Sequence, residues 1–144
     1  MHWFSLSLVC LLACGTAPPP LEPSTEFDPI VSNQFSQSWA PSGKANISQF
    51  AKGENAFFGK LWLDANATVP EHQDATEEYL YILSGGGTIH INGNAQTVTA
   101  GHAVFMPAGA RVSFENSNVP LEAIQVFAGP EPADKYQTWS AVTP

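Results

Sequence analysis

The chain has 144 residues, room for one domain with a core of ordinary size. It is 44% hydrophobic and 12% charged, a globular balance that excludes a polytopic membrane protein. Thirteen Asp and Glu against five Lys and Arg leave a formal charge of −8, and five scattered cations cannot build the basic patch that nucleic acid requires.

Residues 3–13, W-F-S-L-S-L-V-C-L-L-A, form an apolar run too short for a bilayer span of about 20 residues, but as long as the apolar part of a signal peptide. The run stops at Leu11-Leu12-Ala13-Cys14-Gly15. This resembles the bacterial lipoprotein signal. The resemblance implies removal of residues 1–13, lipidation of Cys14 as the mature N-terminus, and a protein anchored by lipid outside the cytoplasmic membrane. The only cysteines are Cys10 and Cys14, so the chain beyond them offers neither a disulfide nor a thiolate metal site. Residues 14–38, with Pro18–Pro20, many polar residues and few aliphatic ones, read as a tether stiffened by proline. Phe27, Ile30, Val31 and Phe35 give it a means of lying along the domain.

Residues 39–144 form the folded domain, and their pattern is β. Ala56–Leu63 and Tyr79–Leu83 have strand composition, and glycines 85 to 87 end the second. Thr88–Asn92 alternates, enters a turn at Gly93-Asn94, and returns as Gln96–Thr99, which predicts a hairpin with Ile89 and Ile91 buried and His90 exposed. Ala103–Met106, Val112–Glu115 and Ala123–Phe127 follow, and a helical turn over Ala133–Trp139 covers an edge or a barrel end. Short strands at such regular spacing predict an all-β sandwich or barrel.

Polar, potentially ligating side chains gather just ahead of the Tyr79–Leu83 strand. In extended chain, residues two apart share a face at about 6.5 Å, which puts His72 and Asp74 on one side. Glu78 has the same parity and joins them if the chain bends. A carboxylate leading into an apolar strand is costly to bury alone, so Glu78 requires a partner. Glu77 faces the other way, and His102 sits at a surface turn. Val112 and Phe114 form an apolar wall, with Arg111 on the opposite side. Gln125 interrupts an apolar strand and is either a ligand-orienting amide in the cavity or a solvent-facing edge residue.

These residues resemble the motifs of the cupins, small jelly-roll β-barrels. The first motif is read as Gly59, a spacer, His72-Gln73-Asp74, three residues, Glu78, six residues, Gly85. The second is Gly101, five residues, Pro107-Ala108-Gly109, two residues, Val112, three residues, Asn116. The resemblance implies a single jelly-roll barrel over about residues 40–130 and, by analogy with paired barrels, a homodimer. In metal cupins two histidines and a Glu of the first motif and a His of the second hold one divalent ion. Here Asp74 and Val112 replace two of the histidines, and His102 replaces the usual Asp. The implied ligand set is His72, Asp74 and Glu78, suited to Mn, Fe(II) or Zn and short of the two-His set of non-haem iron. P-E-H-x-D-x-T-E-E-Y and the ending Q-V-F-A-G-P-x-P-A-x-K-Y also resemble one cupin subgroup.

Two functional readings stay open beside a purely structural domain. One is a lipid-anchored module binding a small molecule, lined by Gln125, Val112 and Phe114, with a weakly held metal or none. The other is an enzyme: a metal-dependent oxygenase or isomerase, or a metal-free catalyst in which Asp74 orients His72 as an acid–base group.

Overall fold

The computed structural model describes residues 31–141; the apolar run, Cys14 and most of the tether lie outside the described residues. Ten strands in chain order are β1 (Ser36–Trp39), β2 (Ala45–Lys52), β3 (Phe57–Leu63), β4 (Thr68–His72), β5 (Glu77–Ser84), β6 (Gly86–Ile91), β7 (Asn94–Thr99), β8 (Ala103–Met106), β9 (Val112–Asn116) and β10 (Leu121–Ala128). They form a six-stranded sheet in the order β1-β2-β3-β10-β5-β8 and a four-stranded sheet in the order β4-β9-β6-β7. Every pairing is antiparallel, and β10, the last strand, closes between β3 and β5. This is the jelly-roll winding that the resemblance to the cupins implies.

The strands behave as half-buried strands must, with alternate side chains on opposite faces. Along β10, Leu121, Ala123, Gln125 and Phe127 are buried. Along β5, Glu78 and Ile82 are buried while Tyr79, Tyr81 and Leu83 face outward, 42–49% exposed. Phe114, Val112 and Ile89 of the small sheet meet Ile82, Met106 and Ala123 of the large one in the main core. Each fully buried Phe, Ile or Leu side chain contributes about 1.5–3 kcal/mol of apolar burial.

Several boundaries differ from the sequence reading. β1 begins at Ser36, inside the stretch assigned to the tether, and the Phe35 ring lies 4.5 Å from Phe50, so the end of that stretch belongs to the domain. Glycines 86 and 87 start β6 rather than merely ending β5. The hairpin turn is Asn92-Gly93, one residue earlier than Gly93-Asn94: Ile91 pairs with Asn94, and both loop residues have positive φ (50° and 83°). A two-residue loop with positive φ twice is the type I′ turn, for which Asn-Gly is the favoured pair. Ile89 is buried as expected, Ile91 is half-buried, and His90 is half-exposed with its Nε2 4.0 Å from Glu115.

The C-terminal turn is a 3-10 helix over Glu131–Thr138, starting two residues before the predicted Ala133. Pro130 precedes it and Pro132 lies in its first turn, where a missing N–H costs nothing. In a 3-10 helix residues three apart line up. Ala133 and Tyr136 accordingly pack together on Phe57 and Phe127, with Trp139 next in the row against Tyr136.

Candidate functional site

β4 and β5 bring the polar cluster together. His72 ends β4 opposite Val112 of β9. The chain crosses to the other sheet through Asp74, whose carbonyl accepts from the Gly109 N–H at 2.8 Å. Glu78 then enters β5 on its inward face. Ligating atoms of His72, Asp74 and Glu78 all lie within 4.8 Å of one another, so the three residues picked from the sequence do converge.

Each has a defined partner. His72 Nδ1 is 2.9 Å from the Pro70 carbonyl oxygen, which can only accept, so in the neutral ring Nδ1 donates and the Nε2 lone pair is free. Nε2 lies 3.8 Å from Asp74 Oδ2. Glu78, 6% exposed, accepts from Gln125 Nε2 at 2.6 Å, and Gln125 Oε1 accepts from the Tyr136 hydroxyl at 2.8 Å. This buried row answers the question left open for Gln125: it faces the interior, and both ends of its amide are used. It also supplies the partner that Glu78 required.

Burial is the main force on the Glu78 carboxyl and pushes its pKa above the usual value; the Gln125 donor and the Lys135 charge pull the other way. The Tyr136 phenol is raised far above its ordinary value, first by burial and then by the negative charge of Glu78. Lys135 and Tyr136 carry no role in the sequence reading, although both stand in the quoted ending. Lys135 Nζ reaches Asp74 Oδ2 at 3.4 Å and lies over the Phe127 ring, 4.9 Å from its centroid.

These groups line one cavity of about 520 Å³ between the sheets. Val112 and Phe114 are part of its wall, as expected, beside Leu80, Ile82, Ile89 and Val104. His72, Asp74, Lys135, Glu78, Gln125 and Tyr136 form one contiguous polar set against that wall. Glu77 stays outside the set and accepts from the Tyr79 hydroxyl at 2.7 Å. Arg111 and His102 are exposed, as expected; the His102 ring folds back to accept from the Thr99 N–H at 2.9 Å.

The donors fit a divalent ion at three points: one imidazole nitrogen with its second nitrogen held by a carbonyl, as is usual for a ligating His, and two carboxylates. Among the described residues no fourth His, Cys, Asp or Glu joins this group, and the residue facing His72 across the strands, Val112, has no lone pair.

The model of the cupin domain family matches residues 62–127, from β3 to the end of β10. An uncharacterized protein of Streptomyces coelicolor is 30% identical over 83 residues, covering 58% of this chain and 79% of that relative. Among solved structures, an RmlC-like cupin from Shewanella frigidimarina superposes with a TM-score of 0.64 at 19% identity, covering 78% of this chain and 96% of its own. A predicted oxalate decarboxylase from Thermotoga maritima superposes with a TM-score of 0.56 at 28% identity, covering 59% and 80% respectively. With both motifs on the strands that carry them and the same barrel around them, the chain belongs to the cupin superfamily.

Proposed function

We propose that this chain is a small-molecule-binding cupin, held outside the cytoplasmic membrane by lipid on Cys14, whose barrel takes a ligand with an apolar body and a polar head. One observation carries the reading: a cavity of about 520 Å³ in which a contiguous polar set faces aliphatic and aromatic walls. That size falls within the range of about 300–1,000 Å³ typical of ligand sites. The body of the ligand displaces water against Leu80, Ile82, Val112 and Phe114. Its head hydrogen-bonds His72, Asp74 and Glu78. Gln125 acts one step back, because Glu78 and Tyr136 occupy its amide; it positions Glu78 rather than gripping the ligand itself. His72, Asp74 and Glu78 would be the residues to hold a Mn, Fe(II) or Zn ion, with three donors only and so weakly, and the chemistry such an ion would supply there is polarisation of a ligand oxygen.

The test is a thermal-shift screen of small organic compounds, on wild type and on Val112→Trp, whose indole fills the cavity. Compounds that stabilise wild type and leave Val112→Trp unmoved support the reading. Compounds that stabilise both equally bind elsewhere and overturn it.

A specific observation favours a second reading, acid–base catalysis. A carboxyl that burial inclines towards its protonated form lies within 4.8 Å of an imidazole with a free lone pair, which pairs an acid with a base in one cavity. One similar solved structure is described as a predicted oxalate decarboxylase, so the fold hosts enzymes. Chemical change in a compound found by the screen, lost in His72→Ala, separates catalyst from carrier.

A further inference from the structure

Lys135 reaches the site from neither cupin motif but from the 3-10 helix laid over Phe57 and Phe127. Its ammonium stands 3.4 Å from Asp74 Oδ2, the same oxygen that faces His72 Nε2 at 3.8 Å. The ammonium lies over two aromatic faces, 4.9 Å from the Phe127 centroid and 5.6 Å from that of Tyr136, where ring quadrupoles favour a cation. Both rings are buried and fixed by packing, so they limit where the lysine head goes. Its charge also acts on Glu78, the second carboxylate of the set. A positive group is thus already delivered to the two anionic donors of the ion locus, while the position that carries a neutral histidine in metal cupins is Val112.

We propose that the Lys135 ammonium is a built-in counter-cation of this site, and that a divalent ion gains Asp74 and Glu78 only by displacing it. The inference rests on reading His72, Asp74 and Glu78 as an ion locus, and it gives weak metal binding a cause beyond the missing donor. Like charges a few ångströms apart repel strongly at the effective dielectric of a protein, so lysine and ion exclude one another. The resting site then holds its carboxyl groups against an organic cation, with Lys135 a determinant of ion affinity.

The test is calorimetric titration of the folded protein with Mn and with Zn at low ionic strength. The variants are Lys135→Gln, Lys135→Met, Lys135→Arg and the double variant Lys135→Gln/His72→Ala, each checked for an intact circular-dichroism melt. Lys135→Met keeps an apolar stem over the rings and guards against a loss of packing. Both neutral variants should bind the ions about ten-fold more tightly or better. Lys135→Arg should stay with wild type, because it keeps the charge, and the double variant should lose the gain. Ion affinity that is unchanged or lower in both neutral variants overturns the proposal, as does a gain that survives His72→Ala. If no variant binds an ion, even when Val112→His is added to Lys135→Gln, the ion locus itself falls and the proposal with it. If wild type binds normally and ignores Lys135, only the proposal falls.

Discussion

Replacing Gln125 by Leu removes the centre of the buried row while roughly keeping its volume. Gln125, Glu78 and Tyr136 are only 3–6% exposed, and their hydrogen bonds are 2.6 and 2.8 Å long. Leucine leaves a carboxyl and a phenol without these partners inside the barrel. A buried polar group stripped of its partner costs about 1–3 kcal/mol, so two cost about 2–6 kcal/mol. That is a large part of the ~5–15 kcal/mol that holds a domain together. The loss should also depend on pH. Burial already raises the Glu78 pKa above its reference of 4.5, and the Gln125 donor opposes the rise. Without that donor the folded-state pKa climbs further. A carboxyl with a raised folded pKa contributes stability that is complete below its unfolded pKa and lost as pH rises through the folded one. The deficit of Gln125→Leu should therefore be smallest below the reference value of 4.5 and grow as pH rises above it. Urea unfolding followed by tryptophan fluorescence at several pH values measures it. A deficit below about 1 kcal/mol, or one that shrinks as pH rises, refutes the argument that this row is a partnered, desolvated unit.

Ile89→Ala should cost about 2–5 kcal/mol in the same assay, because Ile89 is 3% exposed between the sheets. His90→Ala should cost less than about 1 kcal/mol, since its side chain is 36% exposed and its Nε2 lies 4.0 Å from the more exposed Glu115; the reverse order would invert the β6 register. Cys14→Ser should move the protein from the membrane fraction to the soluble one, since two or more acyl chains are needed for stable anchoring. Mass spectrometry of the N-terminal peptide from native membranes should find lipid on Cys14, and an unmodified N-terminus at another residue defeats that assignment.

What was legible in the sequence followed from how locally each feature is encoded. Ala103–Met106 and the strands around Tyr79 and Ala123 announce themselves by composition and alternation, and the structure has them within two residues. β2 does not: Asn46, Ile47 and Ser48 are all buried, so the expected alternation is lost. β4 contains Pro70, which cannot donate to a ladder, and its register shifts between Val69 and His72. The same distinction applies to the site. His72, Asp74 and Glu78 are near in sequence, and strand parity put the first two on one face; Glu78 needed the bend that the crossing from β4 to β5 supplies. Gln125 was ambiguous because one amide in an apolar strand does not say which face it takes. Lys135 and Tyr136 were missed because their approach depends on how a 3-10 helix packs on Phe57 and Phe127. The signals in reach were the quoted ending, which contains both residues, and the spacing of three among Ala133, Tyr136 and Trp139, which bears on Tyr136 alone.

The claim that the barrel interior is a binding site is tested most directly by methyl nuclear magnetic resonance, on protein labelled at Ile, Leu and Val. Stabilising compounds from the screen are titrated in one at a time. Leu80, Ile82, Ile89, Val104 and Val112 line the cavity, whereas Ile47 is buried in the second core cluster and Leu83 faces outward. The account predicts saturable shifts of the lining methyls with Ile47 and Leu83 unmoved. Shifts confined to Leu83 and other outward methyls, or none at saturating ligand, would contradict it.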